Sequence, residues 1–132
     1  MRHRPSVAAA ALAVALVACA GRRTAPEPVA PALVVFENQT LFEATVFATA
    51  RGGVPRRVGI VAPNRTQTLA LKGDVLAAGG AGGVTITARL LADRRTPTTG
   101  PITMRPGDRF RVTLPTAANI LSVVPDAPSP SP

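Results

Sequence analysis

The chain has 132 residues, with 15 Lys and Arg against 7 Asp and Glu, a single His and a single Cys, and a formal net charge of +8. This length suits one small domain rather than two, and a single Cys excludes an intramolecular disulfide. The chain has no Trp, no Tyr and only four Phe, so it lacks the aromatic platforms that stack on single-stranded nucleic acid. We therefore expect no nucleic-acid partner.

The first 18 residues have the pattern of an export signal. Arg2 and Arg4 precede an unbroken run of Val, Ala and Leu over residues 7–18, which corresponds to a basic n-region and a short apolar h-region. The run is shorter than the ~20 apolar residues that a membrane-spanning helix needs. We predict that residues 1–18 are a signal peptide and that the mature chain begins at Cys19.

The residues Leu16-Val17-Ala18-Cys19 resemble the lipobox of bacterial lipoproteins, in which Leu stands three residues before the Cys and small residues lie between. The resemblance implies cleavage before Cys19 and a diacylglyceryl thioether on its sulfur, which makes a membrane the first partner. Ala20 stands where lipoproteins retained in the inner membrane of Gram-negative enterobacteria commonly have Asp. The resemblance thus implies the periplasmic side of the outer membrane, or the outer face of the cytoplasmic membrane in a single-membrane cell.

Proline-rich segments flank the predicted domain. Residues 19–31 include three prolines and little to bury, so we predict a flexible tether that follows the lipidated Cys. Residues 125–132 include four prolines and are predicted to be a disordered tail. The folded domain is predicted to span residues 32–124.

Within this domain, apolar residues alternate with polar ones in short runs broken by Gly and Pro, a pattern typical of an antiparallel all-β domain. Helix is not predicted. The apolar run 33–36 is expected in a central strand, and two long connections, 72–82 and 93–100, are expected to cross between sheets. We predict a two-sheet sandwich of seven to eight strands with Greek-key character. Its strands are predicted at 32–37, 43–50, 56–62, 66–71, 83–92, 101–105, 109–114 and 119–124.

The sequence Arg105-Pro106-Gly107-Asp108 has the signature of a type II turn, with Pro at the second position and Gly at the third. We predict that it joins strands 101–105 and 109–114 as a hairpin. This strand–turn–strand run resembles the last strands of small bacterial immunoglobulin-like or transthyretin-like envelope domains. The resemblance implies a sandwich fold but no activity, because the Cys and Trp of true immunoglobulin domains are missing.

Few residues are suited to catalysis or metal binding. The only His, His3, lies in the signal segment, so the mature chain has no imidazole for a Ser/His/Asp triad or a zinc site. Ser122, the one Ser of the predicted domain, has no base to activate it. The glycine run 79–83 lacks the Lys-Ser/Thr of a phosphate-binding loop and is interpreted as a mobile loop. We expect no enzyme activity, cofactor, metal or small-molecule substrate.

Two functions from different classes remain. The leading hypothesis is a non-catalytic envelope lipoprotein that contacts a protein partner through an exposed sheet edge. The alternative is a binding module for anionic envelope polymers or lipid headgroups, although outward arginines also serve simply to keep strand exteriors soluble. The alternative depends on arginines predicted to face outward: Arg57, Arg89, Arg105, Arg109 and Arg111.

Overall fold

A computed structural model describes residues 25–117 and 119–127, so the predicted signal segment, Cys19 and the end of the C-terminal tail lie outside the described residues. The described chain folds into a two-sheet all-β sandwich, as the alternation pattern predicts. Its seven strands are β1 (Ala32–Asn38), β2 (Ala44–Ala50), β3 (Arg56–Val61), β4 (Arg65–Leu71), β5 (Val84–Leu90), β6 (Arg109–Leu114) and β7 (Ser122–Pro125).

The strands are arranged in the order β4-β1-β6-β7 in the first sheet (sheet A) and β3-β2-β5 in the second (sheet B). Strand β1 occupies a central position, which agrees with its apolar sequence. Strand β5 returns beside β2 instead of beside β4, as in a Greek-key arrangement. The β1–β6 pair is parallel, whereas the sequence prediction had all pairs antiparallel.

Alternate residues of most strands face a single core between the sheets, except that Val35 of β1 is buried between two buried neighbours and β3 has a register shift opposite Val46 and Phe47. On β5, Val84, Ile86, Ala88 and Leu90 are buried and the residues between them are not, because successive side chains point to opposite faces. All buried hydrophobic side chains in the described part of the chain lie between Ala32 and Leu121. No buried side-chain polar atom among these residues lacks a hydrogen-bond partner. The complete core of the described chain therefore lies within residues 32–121.

The connection after β4 contains a helix that the sequence analysis did not predict. Helix α1 covers Gly73–Gly79 and is followed by a 3-10 helix over Gly80–Gly82, so the glycine run is not the mobile loop that was expected. Leu76 is buried, and Val75 packs against the core. The seven-residue helix makes only about two turns, which is too short for the 3.6-residue period to appear in the sequence.

The predicted strand 101–105 is absent from the described structure. Only Ile102 forms a bridge, to Val84. The turn itself is confirmed, since the Asp108 N–H donates to the Arg105 carbonyl at 3.1 Å and Gly107 has φ +86°. It does not close a hairpin: the Gly107 N–H donates to the carbonyl of Pro31 at 3.1 Å, so the turn holds the chain that enters β1.

Four connections cross between the sheets, and two of them are short. The three residues between β3 and β4 make one crossing, in which Asn64 adopts a positive φ of 51°. The five residues between β1 and β2 make another. Sequence reasoning assigned crossings only to the longer connections, because turn composition gives no information about which sheet the next strand joins.

The sandwich has two distinct ends. Strands β1 and β6 are parallel and β7 runs against them, so the chain enters at Ala32 and leaves near Pro125 at one end, which we call the base. At the opposite end, the tip, the Leu91 N–H donates to the Glu43 carbonyl at 2.9 Å. The tether therefore leaves the domain at the base.

Candidate functional site

Two of the predicted arginines, Arg109 and Arg111, lie on the outer face of sheet A, as the alternation of β6 predicts. Both are paired with acidic side chains. The Arg109 Nε donates to Asp126 Oδ2 at 2.6 Å, and the Arg111 Nη2 donates to Asp126 Oδ1 at 3.1 Å. The Arg111 Nη1 also lies 3.9 Å from Glu37 Oε2. Two carboxylates thus balance two guanidinium groups on this face.

Asp126 is held in its anionic form by this arrangement. The hydrogen bond from Arg109 is the largest effect and lowers the pKa of the Asp126 carboxyl; desolvation opposes it, and Arg111 lowers the pKa by a smaller amount. The side chain of Asp126 is only 15% exposed, whereas those of Arg109 and Arg111 are about 40% exposed (42% and 41%). The outer face of sheet A is therefore an ion-pair network and not a free basic surface.

Two other predicted arginines, Arg57 and Arg89, lie on the outer face of sheet B. Arg57 is directly opposite Phe47 across the β2–β3 pair. The guanidinium carbon of Arg89 lies 5.4 Å from the centroid of the Phe47 ring, within the range of a cation–π contact. The phenyl ring is therefore flanked by an arginine from each neighbouring strand.

Neither arginine has an acidic partner in the part of the chain that the structure describes. Within residues 25–117 and 119–127, the ion pairs involve Arg95, Arg109 and Arg111 but neither Arg57 nor Arg89. Strands β2, β3 and β5 contain no Asp or Glu. The remaining outward positions on β2 and β5 are occupied by threonines: Thr45, Thr49, Thr85 and Thr87.

Apolar side chains border this surface toward the tip. Ile60 lies opposite Thr45 on the same face and is 43% exposed, and Leu91, which follows β5, is 67% exposed. A surface pocket of about 120 Å³ lies beside the Phe47 ring; its lining includes Pro55, Thr96 and Arg89. We call the surface formed by Arg57, Phe47, Arg89, Ile60 and Leu91 the sheet B face.

The fifth predicted arginine, Arg105, is on neither face. It begins the turn before β6, and its backbone N–H donates to Asp108 Oδ2 at 2.8 Å. The five arginines are thus divided between two sheets and a turn. Phe47 and Ile60 were missed as surface residues of interest. Alternation within β2 predicts the outward direction of Phe47. Ile60 lies three residues from Arg57, and both face outward because the β2–β3 register shifts at Val58. Only the pairing of β2 with both β3 and β5 brings Phe47 and Ile60 beside the arginines.

The sheet edges differ in how they are covered. The outer edge of β5 is covered by residues 97–102, where Ala88 N–H donates to Pro97 O and Thr99 N–H donates to Ile86 O, each at 2.9 Å. Strand β7 is a short edge of four residues that ends in Pro125. In the described part of the chain, no other segment makes a backbone hydrogen bond to the outer edges of β3 and β4. These edges have unpaired backbone groups available to a partner strand.

Other features of the described residues were compared with known kinds of site. Across residues 25–117 and 119–127, no three His, Cys, Asp or Glu side chains are grouped so that they could hold a metal ion. None of the helices in this part of the chain has the length and hydropathy of a membrane span. No protein-family model matches the chain, and no curated protein matches it significantly.

Proposed function

We propose that the protein is a lipid-anchored lipoprotein of the bacterial cell envelope whose β-sandwich is a non-catalytic structural or protein-interaction module. The observation that carries the proposal is the sequence Leu16-Val17-Ala18-Cys19, which resembles a lipobox and stands at the end of a short apolar run. Ala20 favours the outer membrane, with the domain facing the periplasm. The two-sheet arrangement supports the resemblance to immunoglobulin-like and transthyretin-like envelope domains at the level of architecture.

The placement of the charged groups supports a non-catalytic role. A carboxylate that acts as a general acid needs a pKa near the working pH so that it can exchange a proton. Asp93 and Asp126 instead have lowered pKa values, in each case mainly because an arginine side chain donates a hydrogen bond to the carboxylate. Such carboxylates remain ionised at neutral pH and serve as ion-pair partners.

The uncovered edges of β3 and β4 support contact with a protein partner. An extended segment can add to such an edge through backbone hydrogen bonds alone. Strand β4 offers seven residues, and its outward side chains Thr66, Thr68 and Ala70 are small and exposed. A partner strand would therefore meet little steric obstruction on this side.

Cross-linking and pull-down from native membranes with the full lipidated protein tests this proposal. Neighbouring residues in a strand present their N–H groups to opposite edges. Of the two variants Gln67→Pro and Thr68→Pro, one therefore removes an N–H that points away from β1, and the other removes an N–H that points toward β1. Thermal melts identify the variant that keeps the fold. That variant is expected to lose the cross-linked partner. Undiminished cross-linking by that folded variant would rule out strand addition at β4.

A second candidate function, binding to anionic envelope polymers or lipid headgroups, is favoured by one observation. Arg57 and Arg89 form no ion pair within the described residues, whereas Arg109 and Arg111 do. Two unpaired arginines on one face provide a positive field that attracts anions.

A further inference from the structure

We propose that the sheet B face binds the surface of an anionic phospholipid membrane, with Arg57 and Arg89 against headgroup phosphates and with Ile60 and Leu91 entering the boundary between headgroups and acyl chains. The inference rests on the proposed function only in that a lipid anchor at Cys19 keeps the domain near a membrane. The contact itself is made by the domain's own side chains.

The sheet B face is complementary in charge to an anionic membrane. Sheet B has three strands without a single acidic residue. The exposed Glu43, which precedes β2 at the tip, makes no ion pair with Arg57 or Arg89 among the described residues, so both guanidinium groups are available to an incoming phosphate. Strand β2 separates the strands that carry them, and neighbouring strands lie ~5 Å apart, so the two backbones are roughly 10 Å apart. Each arginine close to an anionic surface strengthens binding.

The Phe47 ring holds the Arg89 guanidinium in a position suited to phosphate binding. A guanidinium that lies over an aromatic ring is held in place without using its N–H donors. Those donors stay available for the oxygens of a phosphate, which a guanidinium binds in a bidentate manner. Arg89 is held in this way, at 5.4 Å from the ring centroid, so it loses less side-chain freedom when it binds.

The apolar border distinguishes a membrane surface from a soluble polyanion. Ile60 and Leu91 are 43% and 67% exposed beside the arginines, and both are large aliphatic side chains. A membrane interface accommodates apolar side chains below its phosphates. A soluble polyanion has no such apolar layer and would contact only the arginines. We therefore assign the surface to lipid, and binding to a soluble polyanion is one outcome of the test.

The outer face of sheet A supplies a matched control. It has the same number of strand arginines, but Asp126 and Glu37 pair with Arg109 and Arg111. Phosphate binding there would require these pairs to break. The two faces thus differ in the availability of their arginines and not in their number.

The test uses the chain from Ala20 to Pro132, which lacks Cys19 and so has no anchor but keeps the complete core described above. Vesicles of phosphatidylglycerol with phosphatidylcholine are compared with phosphatidylcholine alone, and the polyanion control is dextran sulfate. Arg57→Gln with Arg89→Gln is expected to weaken sedimentation with anionic vesicles by roughly 30-fold at low salt, and each single variant by roughly fivefold. Arg109→Gln with Arg111→Gln is expected to have little effect.

Ile60→Ser with Leu91→Ser tests the apolar contribution. Its control is Val29→Ser with Val54→Ser, which removes two exposed valines elsewhere. We expect the first pair to weaken vesicle binding and to leave dextran sulfate binding unchanged. The proposal is overturned if both arginine pairs weaken vesicle binding equally, if wild type does not bind, or if only dextran sulfate binding responds to Arg57 and Arg89. A failure of lipidation at Cys19 would leave all of these results unaffected, so the two proposals fail separately.

Discussion

The side-chain oxygen of Asn38 accepts a hydrogen bond from the hydroxyl of Thr40 at 2.8 Å and another from the Thr40 backbone N–H at 3.0 Å. The Asn38 Nδ2 donates to the carbonyl oxygens of Phe42, Val61 and Ala62 at 2.8 to 3.2 Å. One buried amide thus ties the end of β1 to the crossing toward β2 and to the end of β3. The triplet Asn38-Gln39-Thr40 matches an N-glycosylation acceptor pattern, but its amide nitrogen is fully engaged within the fold.

We predict that Asn38→Ala lowers the free energy of unfolding by at least about 2 kcal/mol, because it removes these hydrogen bonds and leaves the buried carbonyl of Val61 without the Asn38 donor. Urea unfolding of the Ala20–Pro132 chain measures the change. The control is Gln39→Ala at the neighbouring exposed residue, whose side chain donates only to Glu37, and which is expected to change stability by less than ~0.5 kcal/mol. Equal effects of the two variants would contradict the role given to Asn38.

Gly107→Val is expected to destabilise the domain by about 1 kcal/mol or more, since a β-branched residue is strained at positive φ. A Cβ at Gly107 would meet no atom within 4 Å, so the cost arises from the backbone alone. Gly100 is a suitable control because its surroundings are equally open and its φ is not positive. In thermal melts we expect a lower midpoint for Gly107→Val than for Gly100→Val. Equal midpoints would contradict the strain that a side chain at position 107 is expected to cause.

The ion pairs of Asp126 predict a dependence of stability on pH. The folded state lowers the pKa of this carboxyl, so its contribution is fully present above the unfolded pKa of about 4 and is lost as the pH falls through the folded value. We expect wild type to be more stable than Asp126→Asn at pH 6, and the difference to shrink as the pH falls below about 4. Thermal midpoints across this range provide the measurement. A difference that stays constant with pH would contradict an ionised, arginine-bound Asp126.

Alternation of apolar and polar residues predicted most of the fold. Seven of the eight predicted strands correspond to β1 to β7, with ends that differ by at most three residues. Strand alternation depends only on local backbone geometry, so it can be read from a sequence. Pairing between strands depends on distant contacts. The parallel β1–β6 pair and the two short crossings could not be predicted for that reason.

The sequence predicted which arginines face outward but not which of them form ion pairs. Alternation assigned Arg57, Arg89, Arg109 and Arg111 to outward positions, and the structure agrees. Alternation could not show that Asp126, which follows the last strand, lies beside Arg109 and Arg111. A predicted basic face was thereby divided into a paired set and an unpaired set, because ion pairing across strands is a tertiary property.

Lipid attachment at Cys19 is tested by metabolic labelling with a fatty-acid analogue, applied to wild type and to Cys19→Ser in a bacterial host, with mass spectrometry of the mature N-terminus. A serine at this position offers no thiol for a thioether. We predict that wild type is labelled and begins at a lipid-modified Cys19, and that Cys19→Ser is unlabelled and remains an unprocessed precursor. Labelling of Cys19→Ser at the wild-type level, or a mature wild-type chain that begins elsewhere, would contradict the account of a lipid-anchored envelope protein.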